Sequence, residues 1–260
     1  MKELIPYIGV TGITNFREIK DLLYEFIINR SSDRPIRLHN GVMMSWSRLN
    51  NRPQEYGWEQ SIVSPNILFS LFELRSVYNC LHYADPQNRD LERNLCNAIL
   101  CEAGVGIDAL QLDLHWPNPV SIANAVHNSR RNIEVILQVG KKVFREASGD
   151  HSIVVDRLKD YEGIIHRVLL DQSMGNGIPM DIETTLHCAL AVRKTFPNWG
   201  IVVAGGLGPG RMDPIREILK EIPDVSWDAQ GKISQGEDSR NPLDMDYSRQ
   251  YLIESLALLK

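Results

Sequence analysis

Trp199-Gly200-Ile201-Val202-Val203-Ala204-Gly205-Gly206-Leu207-Gly208-Pro209-Gly210 is the stretch that decides how this chain is read. A short run rich in β-branched residues breaks into glycines and a proline. The pattern predicts a buried strand ending in a bare backbone loop, with Asp213-Pro214 opening a helix through Ile218 and Leu219. Unpaired N–H groups beside a helix start suit a phosphate, because the donors are free and the helix dipole favours negative charge. Glycine matters there because a side chain would hold ligand oxygens away from the backbone. A tight strand-to-helix turn with no ligand explains the glycines equally well, so the rest of the chain has to decide.

Working outward, the same strand-then-helix unit recurs. Tyr7–Ile13 reads as the first strand, and Asn15 with Glu18 three residues on reads as a capping box for a helix reaching about Arg30. Pro35–Met44 is the second strand. Ser45 to about Val63 is a long loop carrying Trp46, Arg48, Arg52, Tyr56 and Trp58, and loops of that length generally bind or cover something. Ser64-Pro65 starts a helix. Ser76–Tyr83, Ile107–Leu114, Glu134–Val139 and Gly163–Leu170 read as strands three to six. Asp85-Pro86, Asn118-Pro119, the region Ile153–Tyr161, and Asp181–Phe196 read as their helices. Val225–Asp228 ends the eighth strand and Met245–Leu259 is the last helix. Eight such units without a remainder predict parallel strands joined by helical crossovers. The expected fold is a single (β/α)8 TIM barrel over residues 1–260, with an open doubly wound sheet as the competing arrangement. A barrel of this kind takes about 250 residues.

Composition narrows the partners. Hydrophobic residues make up 43% and charged residues 23%, ordinary for a globular chain. A net charge of −5 without a basic block argues against nucleic acid or an anionic membrane surface. No apolar run approaches the roughly 20 residues of a membrane span. Met1–Pro6 lacks a signal peptide's apolar stretch, and Cys80, Cys96, Cys101 and Cys188 form no CxxC pair, so a cytoplasmic chain with reduced cysteines is expected. No cofactor is expected, and the scattered Asp and His residues have no metal-ligand spacing.

In a (β/α)8 barrel, ligands sit at the C-terminal ends of the strands, with phosphate held by the loops after strands seven and eight. Gly205, Gly206, Leu207 and Gly208 fall in the first of those loops. Ser226, Trp227 and Asp228 fall in the second. Asp85, Asp113, His115, Lys141 and Asp171 also fall at strand ends. Asp85 reads as a helix cap because proline follows it. His115 reads as a rim residue, and Lys141 beside Lys142 as a solvated pair. Asp113 reads equally as a catalyst or as a carboxylate satisfied by loop amides. Asp171 is the strongest candidate: it follows Val168-Leu169-Leu170 and precedes a glycine-bearing loop, Gly175-Asn176-Gly177. A partly desolvated carboxyl there acquires a raised pKa and can serve as a general acid.

Taken together, Thr11-Gly12-Ile13, Gln111-Leu112-Asp113, Leu169-Leu170-Asp171 with Gly175-Asn176-Gly177, Ala204-Gly205-Gly206-Leu207 and Asp224-Val225-Ser226 resemble, in chain order, the motifs of phosphoribosylanthranilate isomerase, a (β/α)8 enzyme of tryptophan biosynthesis. The resemblance implies a phosphate held by Gly205–Gly208 and Ser226, and Asp171 as the general acid of an Amadori rearrangement. Arg48, Gln111 and Asp228 are the expected substrate contacts. The family's general base is a cysteine where this chain has Thr11, and a threonine hydroxyl is far too weak an acid to replace it unaided. The glycine after the family's eighth-strand serine is also missing, and Trp227 and Asp228 bring bulk and negative charge there.

Three functions follow as expectations. The first is acid/base isomerisation of a phosphorylated sugar derivative, with Asp171 as acid and Asp113 as base. The second is a Schiff-base aldolase or lyase using Lys141 on a phosphorylated carbonyl compound. The third is a barrel that binds a phosphometabolite without turnover. The expected partner is a small phosphorylated metabolite. The aromatic loop 45–63 reads either as a lid or as the contact of a homodimer.

Overall fold

The computed structural model describes residues 4–31, 34–102, 106–173 and 179–260. Its strands are β1 (Tyr7–Thr11), β2 (Arg37–Ser45), β3 (Tyr78–Ala84), β4 (Ala109–Asp113), β5 (Glu134–Gly140), β6 (Arg167–Asp171), β7 (Gly200–Ala204) and β8 (Ser226–Ala229). They pair in chain order, all parallel, and β8 returns to β1 through Ile8–Trp227, Gly9–Asp228 and Val10–Ala229. The sheet is therefore a closed (β/α)8 barrel, and the open doubly wound arrangement is excluded.

Helices fill the crossovers. α1 (Phe16–Asn29) follows β1, α2 (Trp46–Leu49) and α3 (Leu68–Leu71) follow β2, and α4 (Leu91–Asn97) follows β3. α5 (Pro119–Ser129) follows β4, and α6 (Lys141–Glu146) and α7 (His151–Leu158) follow β5. α8 (Ile182–Thr195), α9 (Asp213–Glu221) and α10 (Met245–Ala257) follow β6, β7 and β8.

Local chemistry explains several boundaries. The Asn15 side chain accepts from the amides of Arg17 and Glu18, while the Glu18 carboxylate accepts from the Asn15 amide, a complete capping box worth about 1 kcal/mol. The Asn118 and Asp181 side chains cap α5 and α8 more simply, each accepting from one amide, of Ser121 and Thr184. Asp85 departs from its expected role. Its carboxylate accepts from the amides of Gln87 and Arg89 and from the Arg89 guanidinium, fixing a turn, and α4 starts only at Leu91. The helix expected at Ser64-Pro65 shrinks to a 3-10 turn, Pro65–Ile67, and the four residues of α3. β6 begins at Arg167, because Gly163 takes a positive φ of 78° in the turn before it.

Alternation along the strands creates two separate cores. One lies between barrel and helices. The other lies inside the barrel, where Tyr7, Tyr78, Cys80, Ala109, Ile136, Leu169 and Val202 pack together. Each fully buried Val, Leu or Ile contributes about 1.5–3 kcal/mol to either core. Below the inner core, at the N-terminal ends of the strands, Arg167 is enclosed and binds the Glu134 carboxylate at 2.7 Å and the Ile5 carbonyl at 3.0 Å. The Tyr78 hydroxyl and Arg37 also donate to Glu134. Burial alone would raise the Glu134 pKa, but Arg167, Tyr78 and Arg37 together hold it below the usual carboxylate range.

Candidate active site

Opposite that floor, the C-terminal ends of the strands surround a cavity of about 300 Å³, at the small end of the range for ligand sites. On the strand side it is lined by His82, Gln111, Asp113, Gln138, Asp171 and Asp228. On the loop side, Gly205, Gly206 and Leu207 after β7 face Gln230, Gly231 and Lys232 after β8.

Asp228 is the most enclosed of the three aspartates that line the cavity, at 5% exposure. Its place is made by a missing side chain: a Cβ on Gly9, its neighbour in β1, would overlap the Asp228 carboxylate. The Thr11 hydroxyl donates to Asp228 at 2.8 Å, and Gly41 leaves the space that this hydroxyl needs. Burial pushes the Asp228 pKa up to about 7; the charge of nearby Asp171 adds to the rise, and the Thr11 hydrogen bond opposes it. Asp113 is pushed up to about 6 by burial. About a third of its side chain meets solvent (35%), which screens it, so Asp228 is the firmer case of a carboxyl poised near neutrality. Asp171 is buried and accepts from the amide and hydroxyl of Ser173.

His82 was not legible as a site residue. It follows Tyr78 and Cys80 on the inward face of β3, with its Nε2 4.0 Å from the Asp113 carboxylate. Burial lowers its pKa to about 4, with the Asp171 charge opposing that fall, so the imidazole is neutral at physiological pH. Gln138 and Lys232 were likewise unforeseen. Gln138 accepts from Gln111 at 3.2 Å, and Lys232 reaches the Glu237 carboxylate at 2.6 Å.

The expected residues divide. Thr11, Gln111, Asp113, Asp171, Asp228, Gly205, Gly206 and Leu207 come together at or directly beneath the mouth. Three others do not. Ser226 lies two rungs deeper, level with Val202, where its hydroxyl accepts from the Tyr7 amide. Gly208 lies behind the mouth, so close to Lys232 that a Cβ would come within 2.8 Å of it. Arg48 turns into its own loop and donates to the carbonyls of Glu59 and Ile62. Two further expectations change. Trp227 does not obstruct the mouth, because it faces outward, fully buried, and its indole N–H donates to Ser255 of α10. The start of α9 is absent from the lining, so loop amides rather than a helix end face the cavity. The glycine missed after Ser226 comes later, as Gly231, because β8 runs on to Ala229. The Gly175-Asn176-Gly177 loop lies outside the described residues.

Lys141 opens α6, is only half-buried and does not line the cavity. Loop 45–63 reaches the mouth through Glu55 and Trp58. Among the described residues, no group of three or more His, Cys, Asp or Glu is placed to hold a metal ion, and no helix is long and apolar enough to cross a membrane. No protein-family model matches the chain, and no curated protein matches it.

Proposed function

We propose that this barrel is an enzyme that moves protons on a small phosphorylated compound, with Asp228 as general base. The observation that carries this reading is the Thr11–Asp228 pair. The resemblance to phosphoribosylanthranilate isomerase puts the base at position 11, where threonine cannot serve. The Asp228 carboxylate reaches the same spot from the opposite side of the β8–β1 seam and hangs on the threonine hydroxyl. A carboxyl with a pKa near 7 is matched to proton abstraction at neutral pH. Asp171 and Asp113, in different surroundings, serve as acids towards the substrate oxygens.

The phosphate end of the ligand rests between the two glycine loops. Gly205 and Gly206 have φ of 125° and 66°, left-handed values that favour glycine and leave the backbone bare. Among the described residues, no acceptor pairs with the amides of Gly206 and Leu207. Lys232 adds a cation. The Schiff-base reading loses support because Lys141 is outside the cavity. Binding without turnover is the weaker alternative, because a passive phosphate site has no use for buried carboxyls poised near neutral pH.

The test is a thermal-shift titration with inorganic phosphate and phosphorylated sugars, followed by turnover assays on whatever binds. Stabilisation that is lost in Lys232→Met supports the phosphate subsite. No stabilisation by any phosphorylated compound refutes it. Phosphoribosylanthranilate is assayed with wild type and Thr11→Cys, and if neither isomerises it that substrate is excluded.

A further inference from the structure

From the arrangement of three side chains in the mouth, we infer that His82 is a catalytic residue that donates a hydrogen bond, as a neutral imidazole, to a carbonyl oxygen of the substrate. The inference rests on the proton-transfer reading above and adds to it the substrate's reacting group: a phosphorylated hydroxy-carbonyl compound.

The argument begins with Gln111. Its side-chain nitrogen lies 3.3 Å from His82 Nδ1 and 3.2 Å from Gln138 Oε1. An amide N–H₂ has two protons and no lone pair to offer, so it donates to both neighbours. His82 Nδ1 is therefore the acceptor nitrogen, and the ring's one proton sits on Nε2. Gln138 holds Gln111 in place, and Gln111 holds the tautomer.

Nε2–H has no such partner. It is buried, lines the cavity and has no hydrogen-bond partner among the described residues. The Asp113 carboxylate, at 4.0 Å, is beyond hydrogen-bond reach. A buried donor left unpaired is costly. That cost is recovered when a ligand oxygen enters the mouth. Asp113 and Asp171 are the charged groups facing the ring, Gln111 and Gln138 the neutral ones. The two carboxylates favour a charged imidazolium, and enclosure outweighs them.

A neutral donor suits one chemistry in particular. When Asp228 removes the proton from a carbon next to a carbonyl, the C–H pair forms a C=C bond and the carbonyl π pair moves onto oxygen. The Nε2–H steadies that oxygen without being transferred. The proton of the neighbouring hydroxyl then passes to the former carbonyl oxygen. Asp228 returns its own proton to the former carbonyl carbon, and the carbon that bore the hydroxyl becomes the new carbonyl. A ketone has become an aldehyde or the reverse, no redox partner is consumed, and Asp228 ends as it began.

Two measurements decide the matter. The first is nitrogen NMR of the ¹⁵N-histidine-labelled protein without ligand, from pH 5 to 9. The expected result is a His82 ring protonated at Nε2 only, unchanged across the range, and moved towards the other tautomer in Gln111→Met. A ring protonated at Nδ1, or charged at pH 6–7, overturns the inference. The second is the infrared carbonyl band of bound dihydroxyacetone phosphate, compared with inorganic phosphate binding. Wild type should lower the carbonyl frequency. His82→Leu should lose that shift and bind the ketone phosphate roughly ten- to a hundredfold more weakly, as expected for one lost hydrogen bond of about 1.5–3 kcal/mol. Inorganic phosphate should bind both proteins equally, and His82→Gln, which keeps a donor, should restore part of the shift. An unchanged carbonyl band in His82→Leu overturns the inference while leaving the phosphate reading intact. If neither phosphate compound binds, the phosphate reading fails and the ring's protonation alone decides for or against His82.

Discussion

At the scale of single residues, Asp228 sets the pH behaviour of the molecule. Its folded pKa, about 7, lies above the value near 4 of a carboxyl in an unfolded chain. The folded state therefore holds this proton more tightly. The resulting stabilisation is complete below about pH 4 and is lost as pH rises through about 7. Asp228→Asn removes the dependence while keeping an acceptor for Thr11. Relative to wild type, the variant should gain on the order of 3 kcal/mol between pH 4 and pH 8, read from urea unfolding at both pH values. An equal offset at the two pH values would mean that Asp228 titrates normally.

The sequence carried part of this at the same scale. Thr11, Asp113 and Asp171 were legible because each closes an apolar run at the end of a strand. Asp228 was read as a substrate contact that brings negative charge to the phosphate loop, and not as the base proposed above, because nothing in the sequence says that Gly9 clears space for it across the seam. His82 was hidden for a similar reason. In Asn79-Cys80-Leu81-His82-Tyr83-Ala84 both faces of the strand are buried, so alternation alone does not mark the residue that looks into the mouth.

At the scale of elements, the β8–β1 seam is the most exacting join in the barrel. Gly9, Thr11 and Asp228 fit there as a set, and the Tyr251 hydroxyl of α10 donates to the Gly9 carbonyl from outside. Gly9→Ala has no backbone reason to fail, because its φ is not in the left-handed region. It has a packing reason, since the new methyl overlaps the Asp228 carboxylate. The expected cost is about 1–3 kcal/mol in urea unfolding, with loss of turnover as the carboxylate is displaced. Full stability and activity would show that the seam relaxes freely. The strand-to-helix rhythm was legible because caps such as Asn15, Asn118 and Asp181 sit at the joins. The misplacement of Ser226 came from counting it with the loop after β8, whereas it opens that strand inside the barrel.

At the scale of the whole molecule, the two ends of the barrel have different tasks. The floor is a closed ionic cluster around Arg167 and Glu134. The Glu134 pKa is depressed, so its contribution is present above the unfolded value and is lost as pH falls through the lower, folded one. Glu134→Gln leaves the enclosed Arg167 without its counter-charge and should cost about 3–5 kcal/mol at pH 7, measured by denaturant unfolding. Ligand affinity at the mouth should stay unchanged. A loss below about 1 kcal/mol would show that water reaches and screens the floor.

The apolar plug of Tyr7, Tyr78, Cys80, Ala109, Ile136, Leu169 and Val202 stands between those ends. It insulates the part that keeps the chain folded from the part that meets chemistry. A lineage carrying this scaffold is free to retune its reactive carboxyls, or abandon them, without eroding its foundations. The base proposed on β8, where the family that the sequence resembles has one on β1, is the sort of rewiring such insulation permits.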